Sequence, residues 1–93
     1  MTYRLLIAPP ARRALEEKLP TGVAAAAWEF INGPLAEDPH RVGKPLLGRL
    51  AGTWSARRGE YRIVYVIQDE VVTVLVLRIA HRRTSTDDRG LRV

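Results

Sequence analysis

Apolar positions along this chain follow a helical spacing in its first third and a strand spacing in its last. Residues 3–8 form a short apolar run that predicts a first strand, closed by Pro9-Pro10, which suits the first turn of a helix. Ala11, Ala14, Leu15 and Leu19 then share one helical face, with Arg12, Arg13, Glu16 and Glu17 largely on the other. Leu19-Pro20-Thr21-Gly22 breaks that helix, and Thr21 is a candidate N-cap for the next. Val23, Ala26, Ala27, Phe30 and Ile31 recur at i, i+3, i+4, i+7 and i+8, which predicts a second amphipathic helix ended by Asn32-Gly33-Pro34. Residues 35–50, punctuated by Pro39, Gly43, Pro45 and Gly48, read as a loop.

From Trp54 onward the pattern is that of strands. Residues 61–68 and 71–80 are rich in valine, isoleucine and tyrosine, and Gln68-Asp69-Glu70 makes the turn between them. The predicted order is β-α-α-β-β-β: an N-terminal strand, a helical hairpin, then antiparallel strands, with both helices on one face of the sheet. That is an α+β sandwich.

Alternation along the last hairpin predicts which residues share a face. Matching the larger apolar residues of both strands gives a core face of Tyr61, Ile63, Tyr65, Ile67, Leu75, Leu77 and Ile79. The same register sets Arg62, Arg78 and Arg82 together on the opposite face. It requires an odd-numbered turn or a β-bulge. A two-residue turn would instead split the arginines between faces and bury Arg78.

Composition narrows the class. Ninety-three residues support one hydrophobic core. With no cysteine, disulfides, thiolate chemistry and cysteine-rich zinc sites are excluded. The longest apolar runs are far shorter than the ~20 residues that cross a bilayer, and the N-terminus lacks the apolar segment of a signal peptide. A soluble cytoplasmic protein without membrane contact is the expectation. The two histidines and scattered carboxylates form no ligand set, and no glycine-rich nucleotide loop is present, so neither metal nor cofactor is expected.

Net charge is +5, and Lys18 and Lys44 are the only lysines among the 15 basic residues. Arginine presents a planar fork that matches phosphate oxygens and stacks on bases. Arg57, Arg58 and Arg62 crowd the junction of two predicted strands, and Arg78, Arg82 and Arg83 close the next. A valine-lined sheet face rimmed by arginines makes a poor solvated surface and a good shallow groove for a polyanion, RNA above all.

The chain resembles the RelE/ParE toxin superfamily, and in particular RelE-type ribosome-dependent mRNA interferases. The resemblance rests on Asn32-Gly33-Pro34-Leu35, on Asp38-Pro39-His40-Arg41-Val42-Gly43-Lys44-Pro45-Leu46, on residues 50–65 with Trp54, Arg57, Arg58, Gly59, Glu60, Tyr61, Arg62 and Tyr65, and on Ile79-Ala80-His81-Arg82-Arg83. It implies a single RelE-like toxin domain over residues 1–83, followed by a polar tail over 84–93. It also implies metal-independent RNA cleavage in the ribosomal A site, where the 2′-hydroxyl attacks the adjacent phosphate. Such a reaction needs a group to take the 2′ proton, another to protonate the leaving 5′ oxygen, and cations around the phosphorane.

Carried over by position, the resemblance makes Arg62 the residue that holds the scissile phosphate and gives Arg82 a similar charge-stabilising role. Arg57 would transfer a proton or contact phosphate, and His81 would act as acid or base. Lys44, Arg58, Arg78 and Arg83 complete the expected RNA-binding set. His40 is expected as a rim contact or structural residue. Two departures stand out: Thr84-Ser85-Thr86-Asp87-Asp88 contains no tyrosine where some members carry one, and Ser55 replaces a basic residue. The implied partners are a cognate acidic antitoxin, held in a hetero-oligomer, and the ribosome with bound mRNA. The competing expectations are a ParE-like inhibitor of DNA gyrase and a non-cutting RNA- or ribosome-binding module.

Overall fold

A computed structural model of the chain describes residues 2–81. The expected roles of Arg82 and Arg83, and of a tail over 84–93, lie outside the described residues. Strand β1 (Arg4–Ile7) leads into helix α1 (Pro9–Arg13), which continues as a wider π-type turn over Ala14–Lys18. Helix α2 (Thr21–Phe30) follows and is likewise prolonged by a π-type segment, Ile31–Leu35. A short helix α3 (Pro39–Val42) and a two-residue strand β2 (Lys44–Pro45) precede β3 (Trp54–Arg58), β4 (Tyr61–Gln68) and β5 (Thr73–His81). No helix among the described residues is long and apolar enough to cross a membrane.

The five strands form one sheet in the order β1-β5-β4-β3-β2. Two helices pack on one of its faces, as the α+β expectation has it. The sheet is mixed, however: β1 lies parallel to β5 at one edge, while the other pairings are antiparallel. The helical hairpin carries the chain from β1 to β2 at the opposite edge, and the antiparallel run β2-β3-β4-β5 brings it back beside β1. Between sheet and helices lie Ala11, Ala14, Ala27, Phe30, Ile31, Leu35, Ala56, Tyr61, Ile63, Tyr65, Val74, Val76 and Ile79.

Local expectations fail at three places. Thr21 is the first helical residue rather than the cap: extended Pro20 precedes it, and no side chain bonds the helix start. Asn32-Gly33-Pro34 does not end the second helix, because the wider π-type turn accommodates Pro34, whose missing N–H would otherwise leave a gap in the ladder. The loop expected over 35–50 contains α3 and the edge strand β2.

The β4–β5 hairpin carries the larger correction. Near the turn, Gln68 pairs with Thr73 and Tyr65 with Val76; past it, Val64 pairs with Arg78 and Arg62 with Ala80. A bulge therefore sits at Leu77, one of the two devices the sequence required. Tyr61, Ile63, Tyr65 and Ile67 face the helices as expected. On β5, Val74 and Val76 take the core positions assigned to Leu75 and Leu77, and Leu75 is only half-buried opposite Val66. The helix against β5 presents Ala11 and Ala14, so it lies close to the sheet and leaves room for valine rather than leucine.

Candidate nucleic-acid interface

The sheet face turned away from the helices gathers the basic residues. Arg57 on β3 stands directly opposite Arg62 on β4, and Arg78 on β5 opposes Val64, one diagonal step from Arg62. Paired residues share a face, so three adjacent strands each contribute one exposed guanidinium. Lys44 joins from β2, where it is paired with Ser55, two residues before Arg57. Half-buried Val64, Val66, Leu75 and Ala80 form the floor between them.

Like charges directly opposite each other on a sheet are destabilising unless an anion neutralises them. The described carboxylates do not do so here. Glu60 bonds His81, and Asp69 is held by His40 and Tyr3. No described carboxylate forms an ion pair with Arg57, Arg62 or Arg78.

Two expected site residues sit on the other side of the sheet. Arg58 follows Arg57 and so points the opposite way, with its Cζ 4.6 Å from the centroid of the Phe30 ring and Nη1 donating to the Arg57 carbonyl at 3.0 Å. It braces α2 against the sheet through a cation–π contact. His81 is paired with Tyr61 and only 2 % exposed, with Nε2 3.2 Å from Glu60 Oε1. Alternation from exposed Arg78 through buried Ile79 to Ala80 turns the His81 ring inward, away from any anion on the arginine face. The described arrangement does not bring His81 together with Arg57 and Arg62, as its expected acid–base role required. Arg82 and Arg83 fall outside the described residues.

A second cluster, at the turn end of the sheet, escaped sequence reasoning. The Tyr3 hydroxyl donates to Asp69 Oδ1 at 2.6 Å, and His40 Nε2 lies 2.9 Å and 3.1 Å from the two Asp69 oxygens. Trp54 packs edge-on against the His40 ring at 5.2 Å and is stacked over Tyr65 at 6.5 Å. These residues come from four separate segments, and no spacing in the chain announces them. Hydrogen bonds from His40, and then from Tyr3, hold the Asp69 carboxyl below the usual carboxylate range, while the bond to Asp69 pushes the Tyr3 hydroxyl up. Burial raises Tyr61, opposed by nearby Arg58, and pushes Tyr65 up to about 12.

No group of three His, Cys, Asp or Glu residues among those described could hold a metal ion. The chemistry the described face offers is therefore that of guanidinium, ammonium and hydroxyl groups over an apolar floor. Guanidinium and ammonium groups so placed can bind phosphate and stabilise negative charge that develops on it.

Comparison with known proteins gives the family. Residues 5–86 match the family described as the ParE toxin of the type II toxin–antitoxin system parDE. Toxin RelG of Mycobacterium tuberculosis is 52% identical over 82 residues, which span 88% of this chain and 93% of that protein. Toxin RelE of the same organism is 48% identical over 83 residues, or 89% of this chain and 84% of that protein. Among solved structures, the toxin–antitoxin complex RelBE2 from M. tuberculosis superposes with a TM-score of 0.85 at 51% identity, covering 88% of this chain and 100% of the matched one. The chain belongs to the RelE/ParE toxin superfamily, as a RelE-family toxin of a type II toxin–antitoxin system.

Proposed function

We propose that this toxin is a metal-independent endoribonuclease that cuts mRNA in the ribosomal A site and so blocks translation. The observation that carries the reading is the trio Arg57, Arg62 and Arg78 on one sheet face, paired with no described carboxylate, with Lys44 at its edge. In the reaction the 2′-hydroxyl loses its proton and its oxygen bonds to phosphorus. The bond from phosphorus to the 5′ oxygen then breaks, and that oxygen takes up a proton. The products are a 2′,3′-cyclic phosphate and a 5′-hydroxyl. Arg62, central in the trio, holds the scissile phosphate. Arg57 and Arg82 stabilise the charge that builds on the phosphorane oxygens, and Lys44, Arg78 and Arg83 grip the flanking backbone.

An acidic antitoxin is the matching inhibitor, since it would neutralise the same face in a hetero-oligomer. The mycobacterial relative captured with its antitoxin supports this partner class. A second reading, a toxin that docks on ribosomes without cutting, is favoured by one observation: the described part of the face carries no histidine or carboxylate.

Mapping of message ends on programmed ribosomes tests the proposal, with the native chain set beside Arg62→Ala. Cleavage in the A-site codon with a cyclic-phosphate end, reduced at least a hundredfold in Arg62→Ala, is the expected outcome, since removing one oxyanion contact costs about 10²–10³ in rate. Intact message despite ribosome binding rejects nuclease action and leaves the non-cutting or the gyrase-directed alternative.

A further inference from the structure

The Tyr3–Asp69–His40 cluster plays no part in the chemistry above, yet it converges on the one segment that delivers Lys44. After α2 and its extension, the chain crosses from the helical layer to the sheet edge within residues 36–45. Strand β2 is too short to hold itself there: it has two residues, and Pro45 has no N–H to donate. What fixes the segment are contacts from elsewhere. The Tyr65 hydroxyl donates to the Pro39 carbonyl at 2.8 Å, and His40 is fastened to both Asp69 oxygens. Gly43 passes so close to the Tyr65 hydroxyl and the Ser55 backbone that a Cβ would lie 2.8 Å from the Ser55 oxygen. The next residue is Lys44, placed opposite Ser55 on the arginine face.

His40 and Asp69 have side chains 46% and 57% exposed. An exposed pair adds little to global stability, so what it restrains is local: the segment it ties down. The Tyr3 hydroxyl in turn donates to Asp69 Oδ1, the oxygen His40 also bonds.

We propose that Asp69 is a positioning residue that, through His40, clamps the 38–45 segment to the β4–β5 turn and so sets Lys44 on the RNA-binding face. The inference rests on the reading of that face as an RNA interface. It assigns Asp69 no contact with RNA.

Two measurements test it. Hydrogen exchange compares the native chain with Asp69→Ala and with the milder Tyr3→Phe, which deletes only the hydroxyl. Backbone amides over 40–46 exchange faster in both variants, more so in Asp69→Ala, while the β4–β5 ladder stays as protected as before. Unchanged exchange over 40–46 overturns the clamp. The second measurement is a double-mutant cycle. Its readout is affinity for ribosomes programmed with a message whose A-site codon is 2′-O-methylated, which the toxin binds and cannot cut.

Lys44→Ala and Asp69→Ala each weaken binding severalfold, and the double variant binds no worse than Lys44→Ala alone, because the clamp acts only through that lysine. Additive losses overturn the positioning role while leaving the RNA reading intact. Failure of the native chain to bind at all rejects the RNA reading and the proposal with it.

Discussion

Tyr65 shows how one residue joins core and site. Its ring is fully buried among Ile63, Val76 and the stacked Trp54, and its hydroxyl satisfies the Pro39 carbonyl at 2.8 Å. Burial pushes this hydroxyl up to about 12, above its ordinary value of 10.0. The folded state therefore holds the proton more tightly than the unfolded chain does. That contribution is fully present below pH 10 and is lost as pH rises from 10 towards 12. Tyr65→Phe is expected to cost about 1–3 kcal/mol at neutral pH, where it leaves a buried carbonyl unpaired. Its urea midpoint should then fall less steeply than the native one between pH 8 and pH 11. Equal falls would place the alkaline sensitivity elsewhere, with Tyr3 and Tyr61, which are also raised, as the next groups to replace.

At the scale of the element, the β4–β5 hairpin decides which side chains reach the arginine face. The bulge at Leu77 lets one strand serve two registers, with Val74 and Val76 turned to the core near the turn and Arg78 turned outward beyond it. Val76→Ala removes fully buried methyl groups and should cost about 2–3 kcal/mol, whereas Leu75→Ala, from the half-buried outer face, should cost about 1 or less. Denaturant titration of the two variants checks this, and the reverse order would reject the bulge. The sequence carried most of the hairpin: strand alternation put Arg62 and Arg78 on one face and required a turn or bulge to do so. What it lacked was the position of the bulge, because valine and leucine look equally fit for a core until the alanine-faced helix sets the clearance. Arg58 was a different case. Neighbours on a strand point to opposite faces, so its separation from Arg57 was legible from alternation alone. His81 required the register as well, and the Tyr3–Asp69–His40 contacts, which join residues up to 66 positions apart, had no local signal.

Across the whole molecule, charge and shape make one argument. A net charge of +5 draws the chain towards any polyanion, but the fold concentrates the response: the helices cover one side of the sheet and leave Arg57, Arg62, Arg78 and Lys44 on the other. If that face grips phosphates, binding releases condensed counterions, and the logarithm of affinity falls with the logarithm of salt by roughly 0.7 per phosphate contacted on a single strand. Arg57→Ala and Arg62→Ala should therefore each flatten the salt dependence of binding to programmed ribosomes by about 0.7. Arg58→Ala carries the same loss of formal charge and provides the control. Its guanidinium lies over Phe30 on the helix side, so it should leave the slope unchanged while lowering thermal stability. Equal flattening by all three variants would mean that net charge alone steers the toxin. A slope that changes only with the outward-facing pair would tie recognition to the alternation of a single strand, in which Arg57 and Arg58 are neighbours in sequence and lie on opposite sides of the sheet.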